Sequence, residues 1–580
     1  MIPGYLSFQV DIKHLKFTSD KGIVYPKTAI VTFTMPGKIK PVVELLGYVE
    51  EELLFTWIDQ KQALHLDHCY INKFSLGDYR TSRGLDKKQL VEIHGFSARN
   101  ALFDSQFTFD FSYSEFPEGD FNIEGAWFNA GKISFDSAHF SNNLLDFSYV
   151  HFPSDFFDFK NVYIVSAGVT FKNAVFGDGD KDFQYTQFGN GGVNFTNTEF
   201  SNGDVSFINT EFGSGDTSFK VARFGRGKVD FHYAKFSSGD ISFERTEFGD
   251  GRVDFRTVEF GHGRVSFNRA VFGDGEVSFE ASEMNSGKFS FKRALFGKGM
   301  ISFDEAVFRN IDVSFERSDF GEGTVSFYKS TFGSLSFRFC HLDNYTDLRL
   351  LHCRMIDMSN TIVRDIIDLK PHEFDLDVEV ISFAGMRLIG RLYIDWKLNH
   401  VKEMVSRQED ASHRLKAEQY RILKENFNTT GQYNDEDAAY VEFKRHEERA
   451  DLEDQIRGRR LAVIWAYPLH WFKVGLFDKA GLYATSPVRV LFTMLFFFTF
   501  FSVVYLLLIT FTTADIIPSV NDQLSVVSKS FYHSAITFLT IGYGDHYPYG
   551  AIRWVSALEG FSGLFLMSYF TVAFVRKILR

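Results

Sequence analysis

The sequence predicts a multidomain protein with three parts: a β-solenoid, a helical connector and an all-α domain with two membrane spans. Three observations predict this fold class. Phe recurs every twelve residues between residues 109 and 336, residues 396–460 are charged with helical spacing, and two long segments near the C-terminus are apolar. Val490–Phe511 has no charged residue, and Trp554–Val575 has only Glu559. As a helix, each segment would be about 33 Å long, enough for a hydrocarbon core of about 30 Å.

Composition excludes several classes of protein. The 580 residues include 62 Lys and Arg against 74 Asp and Glu, a net charge of −12, which argues against a general nucleic-acid binder. Three Cys exclude a disulfide framework. The 69 Phe and only 11 Pro indicate many repeated buried positions and not disorder. No combination of residues suggests catalysis, so we expect a protein that is not an enzyme.

Residues 1–108 precede the repeat and alternate between apolar and polar residues in places, as in Ile30–Thr34. We expect them to form a β-rich cap on the solenoid. The first 29 residues lack the apolar run of about 7–15 residues that a secretory signal needs. The sequence therefore predicts that the N-terminal part stays in the cytosol.

Two Phe series define the repeat in residues 109–336. One runs in steps of twelve from Phe111, with Ile123 in place of one Phe, and the other follows five residues later, with Ile164 and Met284 as its exceptions. One unit, Ile241–Arg252, reads ISFERTEFGDGR. Its Ile-Ser-Phe segment predicts a short strand, and its Gly-x-Gly predicts a corner where Gly supplies a positive φ. We expect each Phe to stack on the Phe of the next coil, with two units and so about 24 residues per coil.

This pattern resembles the Phe-rich branch of the pentapeptide-repeat family, which implies a right-handed quadrilateral β-helix. The seven-residue gap that contains Gly-x-Gly departs from a strict pentapeptide. The mixed-charge exterior suits either a docking surface for a cytosolic ligand or protein, or a spacer. Bases such as Lys228, Arg245 and Arg252 interrupt any acidic stripe, so we expect no mimicry of nucleic acid and no nucleic-acid partner.

Residues 337–487 are predicted to link the repeat to the membrane. Residues 337–395 lose the Phe repeat and are predicted to be terminal coils and a cap, and residues 396–460 are predicted to form a helical hairpin. In residues 461–487, Trp465 and Trp471 follow Arg457, Arg459 and Arg460. Aromatic and basic residues favour the membrane interface, so we expect this segment to lie along the bilayer surface. A buried helix of the soluble part is the alternative.

Residues 488–580 are predicted to be a pore domain, with spans at 488–513 and 554–576 and a pore helix and filter at 530–545. The segment between the spans ends in Thr-Ile-Gly-Tyr-Gly-Asp, residues 540–545. A dehydrated K⁺ ion needs successive backbone carbonyls to face one axis, and Gly542 and Gly544 allow the required φ values. Thr540 would add its hydroxyl, Tyr543 would brace the wall, and Asp545 would attract cations at the outer mouth.

With these residues the last 95 positions resemble two-transmembrane potassium channels. The resemblance implies that Thr540, Ile541, Gly542, Tyr543, Gly544 and Asp545 form the selectivity filter, and that the first four of these bind K⁺. It also implies a homotetramer, because each chain supplies one pore loop. Two residues depart from the family pattern: Leu539 stands where many members have Thr, and Ile536 stands where some have an acid that braces the filter.

Three residues of the second span stand out. Gly560 and Gly563 fall near the inner-helix hinge of this family, although close helix packing is an equal alternative. Glu559 is costly inside a span, so it should face protein or water. We expect it to support the filter through a hydrogen bond behind it, with pore lining as the alternative.

The distribution of charge predicts the orientation. Arg489 precedes the first span, Arg576, Lys577 and Arg580 follow the second, and the loop between the spans contains Asp515 and Asp522. Positive residues favour the cytoplasmic side, so both termini are predicted to be cytoplasmic, in a plasma or inner membrane. The sequence thus predicts a tetrameric potassium channel in contact with lipid, gated or modulated by its solenoid. A membrane-anchored scaffold for a protein partner and a non-selective cation channel are the alternatives.

Overall fold

The structure is a computed structural model of the 580-residue chain. It describes residues 5, 7–19, 21–37, 40–141, 144–152, 155–165, 168–457, 463–519 and 524–579. The chain divides into two compact units, residues 1–407 and residues 408–580. Each unit is described by itself.

The first unit begins with a six-stranded sheet. Its first three strands form an antiparallel meander, and the later ones pair in parallel. Helices α1 (Glu51–Asp59) and α2 (Leu76–Ser82) are inserted here, and a two-stranded hairpin pairs Phe17–Thr18 with Val24–Tyr25. The strands of the six-stranded sheet are Ser7–Lys13, Lys27–Thr34, Val42–Val49, Cys69–Ile71, Leu102–Asp104 and Trp127–Asn129.

The remainder of this unit is a β-solenoid of stacked parallel strands. A 13-stranded sheet consists of Phe109–Asp110, Lys132–Ser134, Phe156–Asp158, Asp180–Asp182, Val205–Ser206, Val229–Asp230, Val253–Asp254, Val277–Ser278, Ile301–Ser302, Val325–Ser326, Thr346–Asp347, Ile366–Asp368 and Arg391–Tyr393. A 23-stranded sheet consists of Leu64–His65, Val91–Glu92, Phe96–Ser97, Ser114–Phe116, Phe121–Asn122, His139–Phe140, Leu145–Asp146, Tyr163–Ile164, Val169–Thr170, Gln187–Phe188, Val193–Asn194, Glu211–Phe212, Thr217–Ser218, Lys235–Phe236, Ile241–Ser242, Glu259–Phe260, Arg264–Ser266, Glu283–Met284, Lys288–Ser290, Val307–Ser314, Thr331–Ser336, His352–Asp357 and Asp377–Ser382. Two three-stranded sheets consist of Val175–Phe176, Glu199–Phe200 and Arg223–Phe224, and of His341–Leu342, Ile362–Val363 and Arg387–Leu388.

The pairing register confirms a coil of two twelve-residue units. Val205 pairs with Val229, which pairs with Val253, so the strands of one face recur every 24 residues. Within one coil, strands at Val205, Glu211, Thr217 and Arg223 start six residues apart. One coil therefore has four strand positions. After residue 332 the period changes, since Phe332 pairs with Cys353 and Cys353 with Val378.

The predicted Phe stacking fills the interior. Phe243 lies between Phe219 and Phe267, with ring centroids 4.9 and 4.6 Å away and ring planes nearly parallel. Phe231, from the opposite half of the coil, meets Phe243 edge to face at 5.7 Å. Such aromatic pairs contribute about 0.5–1.5 kcal/mol each beyond the area that they bury. The solenoid core is therefore a set of parallel ring ladders.

The predicted role of Gly at the corners is wrong for most units, although Gly287 and Gly321 do have a positive φ. Gly249 and Gly251 have no positive φ, and the left-handed residue of this unit is Arg245, with φ 56°. A side chain at Gly249 would place its Cβ 1.8 Å from the carbonyl oxygen of Gly225 in the preceding coil. Gly is needed here because the backbones of adjacent coils approach too closely for a Cβ.

The second unit is helical. After α3 (Val401–Ser406) at the end of the first unit, α4 (His413–Thr429) and α5 (Tyr433–Ile456) form a hairpin whose turn contains Gly431 at φ 74°. Ser412 caps α4 by accepting a hydrogen bond from the Leu415 N–H. The apolar face of α4 is buried through Tyr420, Leu423 and Phe427. Next come α6 (Val463–Lys473) and a π-helical turn, Val474–Lys479.

Three helices complete this unit: α7 (Pro487–Phe511), α8 (Val526–Phe538) and α9 (Ile552–Ile578). Pro487 at the first position and the Ser486 cap start α7. Helices α7 and α9 are long and apolar enough to cross a membrane. A short antiparallel pair of strands, Ile516–Pro518 and His546–Pro548, lies between them. Four residues used above to predict the interfacial segment and the orientation lie outside the described residues: Arg459, Arg460, Asp522 and Arg580.

Candidate functional site

The loop of residues 540–545, which joins α8 to the strand before α9, has an alternating backbone. Thr540, Gly542 and Gly544 have φ values of 58°, 62° and 74°. A Cβ on Gly542 or Gly544 would meet no atom of the chain within 4 Å. Gly is therefore required here for its conformation and not for space. A backbone with positive φ at alternate positions can turn successive carbonyls toward one side.

Thr540 was not expected to share this conformation. A positive φ is uncommon for a β-branched residue and marks a locally strained backbone. The strain is held by the end of α8, since the Ile541 N–H donates to the Ile536 carbonyl at 2.9 Å. The start of the loop is thus fixed by backbone hydrogen bonding.

The far end of the loop is held by side chains. The Tyr532 hydroxyl of α8 donates to Asp545 Oδ2 at 2.6 Å, and this bond holds the pKa of the Asp545 carboxyl below its usual range. Ser519 donates its hydroxyl to the Gly544 carbonyl and its N–H to the Asp545 carbonyl, both at 2.7 Å. Neither Tyr532 nor Ser519 was predicted from the sequence. Only the position of Tyr532 on the predicted pore helix could have indicated it.

His546 follows the loop directly and is buried. Its ring packs edge to face against Tyr532 at 5.3 Å, and its Nδ1 lies 3.5 Å from Asp545 Oδ2. The tight strand pair that includes His546 turns the side chain inward. His546 is therefore part of the support of Asp545.

Glu559 connects all three membrane-domain helices. This side chain of α9 is fully buried and accepts hydrogen bonds from Ser534 of α8 and Tyr505 of α7, each at 2.5 Å. The network continues through Ser556, which lies 2.9 Å from His533 Nε2. Position 536 of α8 has Ile and no carboxylate. Glu559 of α9 supplies a carboxylate to α8 instead.

The two Gly residues of α9 have different surroundings. A Cβ on Gly563 would lie 2.1 Å from the Phe538 carbonyl oxygen, whereas a Cβ on Gly560 would meet nothing closer than 3.9 Å. Gly563 therefore permits close contact between α9 and the end of α8. Of the other two positions singled out in the sequence, Ile536 is buried and Leu539 is exposed in the single chain.

The solenoid contains one group of residues, among those described, that is close enough to ligate a metal ion: Asp230, His232 and Asp254. Arg256 donates to both Asp254 oxygens, and Lys228 Nζ lies 2.5 Å from Asp230 Oδ2. Because these bases already balance the two carboxylates, the arrangement is an ion-pair network.

Comparison with known proteins finds similarity in the region that contains this loop. Residues 482–580 match a family model described as "Ion channel". Protein LctB of Bacillus caldotenax is 37% identical over 67 residues, which cover 11% of this chain and 50% of that protein. The chain thus spans half the length of this relative. No solved structure matches. Residues 482–580 are therefore similar to an ion-channel domain, and the chain joins this region, with its two helices long enough to cross a membrane, to a helical region and a β-solenoid.

Proposed function

We propose that the protein is a potassium-selective channel in which four copies surround one pore. The observation that carries this proposal is the 540–545 loop, with positive φ at Thr540, Gly542 and Gly544, held at both ends between two apolar helices. Backbone carbonyls can replace the hydration shell of K⁺ when they converge on one axis. One loop per chain cannot surround an ion, so the site is complete only in a tetramer.

Each residue of the loop has a proposed role. K⁺ is coordinated by Thr540, Ile541, Gly542 and Tyr543, and Gly544 completes the turn of the backbone. Asp545 is ionised at neutral pH, because the Tyr532 hydrogen bond lowers its pKa, and it attracts cations. Glu559 supports the filter from behind through α8 and α7.

The proposed orientation places both termini in the cytoplasm and α6 at the membrane surface. Trp465, Trp471 and Phe472 of α6 are largely exposed in the single chain. Aromatic side chains prefer the headgroup region of a bilayer, which supports an interfacial position for α6. Arg489, Arg576 and Lys577 then lie on the cytoplasmic side.

A recording in a planar bilayer tests selectivity. The purified full-length protein is studied with K⁺ on one side and Na⁺ on the other. We expect a reversal potential shifted toward the K⁺ equilibrium potential. Current that reverses near zero would contradict K⁺ selectivity and favour a non-selective pore, and a protein silent under all conditions would favour the scaffold.

Two variants sharpen this test. Gly542→Ala has room for its methyl group but places Ala at φ 62°, so it should abolish selective current. Asp545→Asn removes only charge and should reduce current at low K⁺ while selectivity is kept.

We also propose that the solenoid and the connector regulate the pore. Deletion of residues 1–400 should change the open probability. An unchanged open probability would favour a spacer role for the solenoid.

A further inference from the structure

The C-terminal end of α9 contacts an acidic pair at the start of α5. Arg576 Nη2 lies 3.0 Å from Asp437 Oδ1 and 3.8 Å from Glu436 Oε1, and Lys577 Nζ lies 2.8 Å from Asp437 Oδ2. The Arg576 guanidinium also lies 4.3 Å from the centroid of the Tyr440 ring. These contacts join positions up to 140 residues apart in sequence. We call Glu436, Asp437, Arg576 and Lys577 the α5–α9 latch.

Burial makes these charges depend on one another. The side chains of Glu436 and Asp437 are only 6% and 10% exposed. A buried carboxylate that loses its partner is strongly destabilised, because it has neither water nor a counter-charge. Glu436 lies in the first turn of α5, where acids are favourable, and Arg576 and Lys577 lie in the last turn of α9, where bases are favourable. The two helix ends are therefore complementary in charge.

A second set of contacts connects the same two helices. Arg445 of α5 donates to both oxygens of Asp478 in the π-helical turn, at 3.0 and 2.8 Å. The Tyr569 hydroxyl of α9 donates to the neighbouring Phe477 carbonyl at 3.0 Å and accepts from the Ala484 N–H at 2.8 Å. Helix α5 is thus tied to the last turn of α9 and to a segment that α9 also holds.

We propose that the α5–α9 latch transmits the position of the α4–α5 hairpin to the inner helix and so controls the pore. A displacement of α5 must either move the end of α9 or separate two buried carboxylates from their bases. Arg576 and Lys577 act as positioning residues that lie outside the ion path. Control of the pore rests on the proposed channel function, whereas the coupling of α5 to the end of α9 does not.

A charge-swap cycle in the full-length channel tests the latch. Asp437→Lys and Lys577→Asp should each change the open probability about tenfold and in the same direction, and the double variant should recover most of the change. Independent effects of the two substitutions in the double variant would overturn the proposal. Glu447→Lys is the matched control, because Glu447 lies on α5 but pairs with Lys444 of the same helix. It should leave the open probability unchanged.

Hydrogen exchange supplies a readout that needs no current. In the full-length protein in lipid, Asp437→Lys should accelerate exchange of the last α9 turn by about tenfold, and the swap should restore protection. Restored protection without any current would keep the latch and reject the channel proposal. Unchanged exchange in Asp437→Lys would reject the latch even if the protein conducts K⁺.

Discussion

Replacing Glu559 tests whether this carboxylate holds the pore helix α8 in place. The variant Glu559→Ala removes the acceptor of two hydroxyls, those of Ser534 and Tyr505, and both residues are fully buried. Without Glu559, the Ser534 hydroxyl keeps only the Phe498 carbonyl as an acceptor and the Tyr505 hydroxyl keeps only Ser556 Oγ, each at 3.2 Å. A hydrogen bond contributes about 1 kcal/mol net, so the loss of two such bonds costs about 2 kcal/mol. This cost corresponds to an increase of about 30-fold in the local opening of α8.

Hydrogen exchange of the α8 amides measures this opening in the full-length protein in lipid. We expect exchange about 30-fold faster or more in Glu559→Ala. Glu559→Gln is the matched control, since its carbonyl oxygen can still accept one hydroxyl and the other hydroxyl can turn to accept from the amide. Its cost should be about 1 kcal/mol. Wild-type exchange in Glu559→Ala would refute the support role, and a large change in conductance without a change in exchange would favour pore lining.

Three further predictions concern other parts of the chain. Gly563→Ala should abolish current or destabilise the membrane domain, because its Cβ would lie 2.1 Å from a backbone oxygen. Gly560→Ala should conduct, because its Cβ would lie 3.9 Å from its nearest neighbour. Equal behaviour of the two variants in bilayer recordings would contradict this packing argument. His446, which is buried with its Nδ1 2.8 Å from His413 Nδ1, has its pKa lowered by burial to about 4, so the unfolded hairpin binds more protons than the folded one between about pH 4 and 6.5. The α4–α5 hairpin should therefore lose on the order of 3 kcal/mol as pH falls through this range, as measured by hydrogen exchange. His446→Phe should remove most of this dependence and leave the part due to His413, whose pKa is also lowered by burial. Phe243→Ala should cost about 3–5 kcal/mol of solenoid stability in thermal unfolding, and the same change at the exposed Phe107 should cost less than about 0.5 kcal/mol.

The parts of the fold that repeat were predictable from the sequence. A Phe every twelve residues meets the same neighbours in every coil, so the pattern itself contains the contacts of Phe243 with Phe219 and Phe267. The reason for Gly at position 249 was not predictable. A backbone too close to the preceding coil for a Cβ and a backbone with a positive φ both require Gly, so the sequence does not distinguish the two causes.

Contacts that occur once were also beyond sequence reasoning. Glu559 was expected to bond behind the filter, but no local pattern relates it to Tyr505, 54 residues earlier. Lys577 suits the last turn of its own helix, but no local pattern relates it to Asp437, and only the folded unit brings the two together. The backbone of the 540–545 loop was predictable at Gly542 and Gly544, but not at Thr540, where hydrogen bonds to α8 outweigh the preference of a β-branched residue.

The 24-residue register limits how the length of the solenoid can change. Removing 24 residues deletes one whole coil, shortens the stack by about 4.8 Å and leaves every remaining strand on its own face. Removing twelve keeps the Phe pattern intact but shifts all later strands to the opposite faces, so the chain would leave the solenoid on the other side. A change of twelve residues therefore preserves the packing of the core. Only a change of 24 residues also preserves the face from which the chain continues into the domain attached to the end of the solenoid.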